Sequence, residues 1–501
     1  MNDRFGNTST NGDGGLRAGT LGTFDSVVMA VAGCGPAYTA VALIPALIAA
    51  VGLAAPAALL YGAVPMVGIA LAFRHLGRLD VNAGGTYSWV ARTLHPVLGF
   101  LSGWAVVAAT TLFIIASTTP AGAATLTLLD EDLAGNRVLA TAVGLGLFLL
   151  IAALVASGAR IAAGARALAL AVQLALLTAV AVAALTRDVH AASFSLSWFG
   201  LQHFDATHSL TAGALIAGAL YWGWDVTANL SEETRGGRGG SGLGGLIGLL
   251  VVAATLLTLT VGALVLLGPE AVTSTDGGFL LQLGEAAWPG VGGTLLVLAV
   301  PLSMAATLET TLLQATRTLF AMGRDRTVPA FLGRVHPRRR TPVASTALVC
   351  AVAVATLTAV ALADPGVGVL GDVLQGIGLL IAFSYALAGL AVVVAFRRVL
   401  FASAGNLLLL AAWPLLGAAF NVWILAASVR ALPRAPLAIG LGALAAGLLP
   451  LGVARLRGER SFFRPRPLHP TGAHPADEGP GDALPATAPA DGRRDGLLSD
   501  F

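Results

Sequence analysis

Two glycine-containing segments of the chain have a composition that suits the binding of a small charged molecule. They are residues 33–36 (GCGP) and residues 221–225 (YWGWD). Glycine tolerates non-helical backbone angles and proline removes a backbone donor, so each segment predicts an interrupted helix. A helix that restarts at Pro36 would direct its free N–H groups and its positive dipole end at the gap, which suits a carboxylate. The candidate binding residues here are Gly33, Cys34, Gly35, Tyr221, Trp222, Gly223, Trp224 and Asp225.

A second interpretation of the first segment stays open. Small residues also let neighbouring membrane helices approach closely, and Gly33 and Gly35 would serve that purpose equally well. The second segment favours a site, because the carboxylate of Asp225 in an apolar stretch costs at least about 2.5 kcal/mol in a membrane. Asp225 should therefore face a cavity or have a partner.

A third group of polar residues follows one face of a predicted helix near residues 291–313. Ser303, Thr307, Thr310 and Gln314 recur at i, i+4, i+7 and i+11, which indicates a polar wall. The alternative is that the hydroxyl groups bond to carbonyls of their own helix. Glu309 lies off this stripe and would be protonated or paired, which makes it, with Asp225, a candidate for proton coupling.

Charged residues at one end of these helices could form a latch. Glu232 and Glu233 follow the second glycine segment, and Arg317 and Arg324 follow the polar stripe. We predict ion pairs between them at a cytoplasmic gate. The alternative is a solvated rim, whose pairs are worth under about 1 kcal/mol.

The composition of the chain indicates that the helices carrying these residues lie in a membrane. Of the 501 residues 56% are hydrophobic and only 11% are charged, whereas soluble domains carry about 25% charge. Twelve stretches are long enough to cross the roughly 30 Å hydrocarbon core as helices. We predict an all-α integral membrane protein with spans near residues 27–48, 54–73, 97–119, 138–156, 167–185, 210–230, 243–268, 291–313, 343–363, 374–396, 406–428 and 435–454.

The distribution of basic residues predicts the orientation. All 29 basic residues are arginine, and with a cytoplasmic amino terminus only Arg137, Arg187, Arg430 and Arg434 fall on the outer side. This is the positive-inside pattern, so both termini are predicted to be cytoplasmic. Residues 1–20 read as a disordered leader and residues 456–501, rich in Pro, Gly and Ala, as a disordered tail.

Several function classes are excluded by what the sequence lacks. Without lysine there is neither a Walker-A ATPase nor a Schiff-base enzyme. Cys34 and Cys350 form no metal-binding or redox motif, and no metal or cofactor is predicted. No nucleophile, base and orienting group can be assembled, so an enzyme is not expected. The run Arg338–Arg340 lacks a folded basic domain, so we expect contact with lipid head groups and not with nucleic acid.

The two interrupted helices are the first and the sixth, which cross the membrane in opposite directions. Breaks at corresponding positions of two inverted halves are typical of secondary transporters that hold a small-molecule substrate near the bilayer midplane. The pattern therefore predicts an alternating-access carrier within residues 21–455. The sequence leaves the oligomeric state open.

An ordered set of landmarks resembles the amino acid-polyamine-organocation (APC) permeases. The landmarks are residues 21–25 (LGTFD), 83–89 (AGGTYSW), 99–104 (GFLSGW), 221–225 with 232–234 (EET), and 317–325 (RTLFAMGRD) with the following 328–329, 335–337 and 341–342. The resemblance implies a five-plus-five inverted repeat, over about residues 21–186 and 210–396, and two extra helices over about 406–454.

The resemblance also implies roles for particular residues. Backbone N–H groups of residues 33–35 would hold a substrate carboxylate, carbonyls near residues 221–224 would hold the ammonium group, and Trp222 and Trp224 would wall the pocket. Some members place a lysine in helix 5 where it stands in for sodium. Here Gln173 is the strongly polar residue within that helix, and if it takes this place it carries no titratable proton.

The function that follows is transport of amino acids across the cytoplasmic (inner) membrane, coupled to protons or to exchange. The first alternative is a carrier of polyamines or other amines with the same fold. A distant alternative is a membrane sensor that binds amino acids without moving them.

Overall fold

The computed structural model describes residues 15–158, 163–186, 191–204, 206–236, 238–274, 278–363, 368–458, 460–464 and 467–468. Most of the predicted leader and tail, residues 1–14 and 469–501, lies outside these ranges. Within them the chain is helical, and the β-type pairing is a single bridge between Leu21 and Thr234.

The helices are labelled in chain order. They are α1 (Thr23–Cys34), α2 (Pro36–Val51), α3 (Ala55–Leu79), α4 (Thr86–Thr93), α5 (Pro96–Leu126), α6 (Glu131–Gly135), α7 (Arg137–Ser157), α8 (Ala163–Thr186), α9 (Ala206–Leu220), α10 (Val226–Asn229), α11 (Gly240–Leu266), α12 (Gly268–Thr273), α13 (Phe279–Ala287), α14 (Gly292–Arg324), α15 (Val343–Ala363), α16 (Gly368–Phe396), α17 (Ala404–Leu407), α18 (Trp413–Ala431), α19 (Arg434–Ala446), α20 (Leu448–Leu456) and α21 (Arg460–Phe463).

Ten helical stretches among the described residues are long and apolar enough to cross a membrane. The first is a 57-residue stretch, Thr23–Leu79, that contains α1, α2 and α3. The segment Ser209–Leu220 of α9 is apolar but shorter than a membrane span. The chain is thus a multi-pass membrane protein in which α9, ending at an interruption, falls below this length criterion.

The first interruption separates α1 from α2 at Gly35. Gly35 adopts left-handed angles, with φ of 56° and ψ of 61°, and Pro36 then occupies the first position of α2. Left-handed angles are costly for residues with a Cβ, and proline is well suited to the start of a helix. The sequence GCGP therefore ends one helix and begins another within two residues.

The second interruption separates α9 from the short helix α10. Helix α9 ends at Leu220, and the chain passes through Gly223, with φ of 103°, before α10 begins at Val226. Few residues other than glycine adopt such an angle. Both predicted breaks are therefore present, each with a glycine at the turning point.

Helix α14 is longer than the hydropathy pattern predicts. It runs for 33 residues and ends at Arg324, not near residue 313. Arg317 is therefore a buried helical residue and not part of a loop. Hydropathy underestimated the helix because its last three turns contain polar and charged residues, among them Gln314 and Arg317, that are buried against protein.

We call the end of the bundle at which α1 begins the leader face. It is defined by Leu21, Glu233 and Arg324, which lie close together. The backbone N–H groups of Thr20 and Leu21 donate to the carbonyl oxygen of Glu233, and Arg324 pairs with Glu232.

Candidate functional site

A cavity of about 560 Å³ lies where the two interrupted helices meet. Its floor contains Gly33 and Cys34 from the first break and Trp222, Gly223 and Asp225 from the second. The walls come from α5, α14, α16 and α18, through residues that include Phe113, Thr307, Thr311, Gln314, Gln375, Ile377, Gly378, Ile381 and Ser428.

The cavity extends away from the leader face. Its lining continues along α2 as far as Ala46 and back along α9 as far as Ala212, and it reaches Leu432 beyond the end of α18. Towards the leader face it stops at Asp225 and Gln314. A molecule at the breaks would thus be reached from the opposite face.

The two breaks are in direct backbone contact. A methyl group on Gly33 would overlap the carbonyl oxygen of Gly223, and one on Gly223 would overlap the carbonyl oxygen of Gly33. The close helix approach predicted as the alternative for Gly33 is therefore present at the interruption. No other residue type fits at either position without displacing backbone.

Two polar residues of α14 hold the ends of α1 and α2 in place. The hydroxyl group of Thr307 lies 2.9 Å from the carbonyl oxygen of Ala32, to which it can donate. The backbone N–H of Tyr38 donates to the hydroxyl oxygen of Ser303 over 3.4 Å. Gly35 packs on Thr307, whose hydroxyl a Cβ at Gly35 would overlap. Thr307 lines the cavity, whereas Ser303 and Gly35 lie behind it.

Asp225 has a partner inside the protein. The side-chain amide of Gln314 donates to its Oδ2 atom over 2.8 Å, and both residues line the cavity. Its side chain is 3% exposed. Among the described lining residues Asp225 is the one with a charged side chain. It therefore supplies the cavity with one carboxyl group next to the break.

The aromatic residues of the second break point in different directions. Trp222 lines the cavity and packs on Gly378, and its indole Nε1 makes no hydrogen bond with a described residue. Trp224, only 1% exposed, instead packs on Phe73, with ring centroids 5.0 Å apart. The hydroxyl group of Tyr221 donates to the carbonyl oxygen of Leu59 over 2.8 Å. The structure therefore brings Trp222 to the cavity and places Trp224 and Tyr221 in the surrounding core.

The two other coupling candidates lie outside the cavity. Gln173 in α8 is 3% exposed, and its side-chain nitrogen makes no hydrogen bond with a described residue. Glu309 forms an ion pair of 2.5 Å with Arg166 of α8, and Arg166 also lies 3.2 Å from the sulfur of Met29. Arg166 escaped the sequence analysis. The feature that could have identified it is its position, since it is a basic residue directly before the predicted span 167–185.

The charged residues predicted to form a latch are paired at the leader face. Arg317 contacts Glu233 over 2.9 Å, and both side chains are at most 10% exposed. Arg324 contacts Glu232 over 3.0 Å at a more exposed position. The backbone N–H of Ala83, just before α4, also donates to Glu232. Together these contacts join the chain after α10 to the end of α14 and to the segment before α4 at the leader face.

Asp325 lies directly after α14 beside this latch. Burial raises the pKa of its carboxyl group, and the neighbouring Arg324 acts in the opposite direction. A raised pKa means that the folded protein holds this proton more tightly than the unfolded chain. Acidification therefore favours the packed arrangement, and this contribution is lost as the pH rises through the raised pKa.

Within the described ranges no group of three or more His, Cys, Asp or Glu side chains is placed to hold a metal ion. The polar groups that line the cavity are backbone groups, hydroxyl groups, side-chain amides and one carboxyl group. Such groups suit a small molecule with polar ends.

Comparison with known families confirms the resemblance noted in the sequence. A family model described as amino acid permease matches residues 21–440. Comparison with individual curated proteins finds no match.

Proposed function

Because the chain belongs to the amino acid permease family of the APC superfamily, we propose that it carries amino acids across the membrane by alternating access. Members of this family transport amino acids or related organocations. The observation that carries the proposal is the cavity at the meeting point of the two breaks. Interruptions in a membrane helix are tolerated where the freed backbone groups meet protein, water or a ligand.

The two ends of the cavity floor have opposite polarity. The amino-terminal end of α2 lies beside Cys34 and presents the positive end of its dipole, which suits a carboxylate. Asp225 and the carbonyl groups around Gly223 belong to the second break, which touches the first, and they suit an ammonium group. A zwitterionic amino acid satisfies both ends, whereas an amine satisfies only one.

Alternating access requires the leader face to open while the opposite face closes. The cavity extends away from the leader face, and the pairs Arg317–Glu233 and Arg324–Glu232 lie at that face. We propose that these pairs keep the leader face closed. We assign this structure to the state that receives substrate from the face opposite the leader. Release would then require these two pairs to separate.

We further propose twelve crossings, with both termini in the cytoplasm and the protein in the inner membrane. The 57-residue stretch Thr23–Leu79 would be about 85 Å long as a helix, enough for two crossings of a roughly 30 Å core. The parts of the sixth crossing are α9 and α10. Twelve crossings return the carboxyl terminus to the leader face, in agreement with the arginine distribution.

For energy coupling we propose Asp225 as the proton-binding group, or else exchange without a proton. Glu309 is paired with Arg166, whose guanidinium does not lose its proton in proteins, and neither lines the cavity. Asp225 lines the cavity and would meet the substrate directly.

Uptake into proteoliposomes tests the proposed function. We expect labelled amino acids to accumulate when the vesicles contain exchange substrate or carry an imposed proton gradient, and carboxylate-blocked amides to compete poorly. Equal competition by an amine without a carboxylate would favour the amine carrier. Binding without uptake in either condition would favour a sensor.

A further inference from the structure

The side chains above the cavity floor are mostly apolar. Between the breaks and the opposite face the lining includes Phe113 of α5, Ile216 of α9, and Ile377 and Ile381 of α16. If the polar ends of a substrate occupy the floor, its side chain extends among these residues. Apolar surface buried there is favourable by about 25 cal/mol per Å².

The charges of the lining disfavour substrates with charged side chains. Asp225 is the charged residue among the described lining residues, and the proposed function uses it for the ammonium group. An acidic substrate side chain would find no cation in this lining, and a basic one would compete for the same carboxylate. Burying an unpaired charge in an apolar environment costs several kcal/mol.

Trp222 and Gly378 together set the width of the apolar part. A Cβ added to Gly378 would lie 2.8 Å from Cη2 of Trp222, so the indole ring fits because residue 378 has no side chain. Both residues line the cavity. A methyl group at position 378 would therefore displace the indole ring, which lines the cavity.

Resting on the proposed function, we propose that the substrate is an amino acid with a large apolar or aromatic side chain and that Gly378 fixes the size limit through Trp222. The cavity of about 560 Å³ has room for such a side chain above the floor. Gly378 then acts as a specificity-determining position on a helix that does not carry either break.

The test is a binding series on the purified full-length protein, read by thermal shift and by competition. We expect affinity to rise from alanine through 2-aminobutyrate and norvaline to norleucine, by up to about fourfold per methylene. Glutamate and arginine should bind at least tenfold more weakly than norleucine. A flat series, or preferred binding of glutamate or arginine, overturns the substrate class while leaving amino acid transport intact. If amines bind and no amino acid does, the proposed function itself fails.

The variant Gly378→Ala tests the size limit. We expect about tenfold weaker binding of phenylalanine and tryptophan with little change for alanine. The matched control is Gly371→Ala on the same helix, where an added Cβ meets no heavy atom within 4 Å. Equal losses for alanine and phenylalanine would overturn the role of Gly378. The converse variant Trp222→Phe should improve tryptophan binding relative to phenylalanine, and an unchanged ratio would also count against it.

Discussion

Gly33 and Gly223 lie backbone against backbone, so that a methyl group on either would overlap the carbonyl oxygen of the other. These residues come from the two interrupted helices and are separated by 190 positions in the chain. Their contact fixes the distance between the two sets of backbone groups on the cavity floor. It therefore links helix packing to the geometry of the proposed site.

Replacement of either glycine should abolish substrate binding. In Gly33→Ala and Gly223→Ala the added methyl group displaces a carbonyl group and separates the two breaks, and Gly223 also loses the residue type that tolerates its φ of 103°. Binding is measured by thermal shift on protein extracted from the membrane. In the control Gly146→Ala, on α7, the new Cβ meets no heavy atom within 4 Å, and we expect normal binding. Wild-type affinity in Gly223→Ala would show that the contact between the two glycines is not needed for substrate binding.

Replacement of Asp225 should weaken the binding of those ligands that carry an ammonium group and leave the binding of other ligands unchanged. Asp225→Asn keeps the size of the side chain and a contact with Gln314 but removes the charge. Hydrogen bonds to charged groups contribute about 1.5–3 kcal/mol, so amino acid affinity should fall at least tenfold. The control ligand is the matching carboxylic acid without the amine, whose weaker binding should not change. Equal loss for both ligands would remove Asp225 from ammonium binding.

The pair Arg166–Glu309 should be structural and not required for coupling. In Glu309→Gln the partly buried guanidinium loses its carboxylate partner, and breaking a fully buried pair in this way costs about 3–5 kcal/mol, which is the upper limit here. The melting temperature should therefore fall. Replacing both residues, as in Arg166→Met with Glu309→Leu, should restore most of the stability because no charge is left unpaired.

Uptake by this double variant decides the coupling question. We expect it to keep its response to an imposed proton gradient. A response lost in the stable double variant would return Glu309 to the list of coupling residues.

The two latch pairs should differ in strength. Arg317→Gln leaves Glu233 buried without its cation and should open the leader face, whereas the more exposed Arg324–Glu232 pair is worth at most about 1 kcal/mol. Cys34 on the cavity floor provides the readout in a Cys350→Ser background. We expect faster labelling of Cys34 from the leader face in Arg317→Gln than in Arg324→Gln. Equal rates in the two variants and the parent would show that the pairs do not form the gate.

The sequence by itself determined that the chain lies in a membrane, where its helices are approximately, and where two of them are interrupted. Each is a local property, because a bilayer requires about 20 apolar residues per crossing, and glycine and proline act on the backbone where they stand. The candidate ion-pair partners at the leader face also followed from charge and order along the chain. The end of α14 did not, since its last turns contain polar and charged side chains that distant parts of the protein bury.

Only the tertiary structure decided which side chains meet. Trp222 reaches the cavity while Trp224 packs on Phe73, and Glu309 pairs with Arg166, which lies 143 positions earlier in the chain. Side chains on a helix are related by a turn of about 100° per residue, and this relation does not hold across a break. The directions in which residues 221–225 point therefore cannot be derived from the sequence. Contacts between distant helices depend on how those helices pack, and a local pattern does not contain that information.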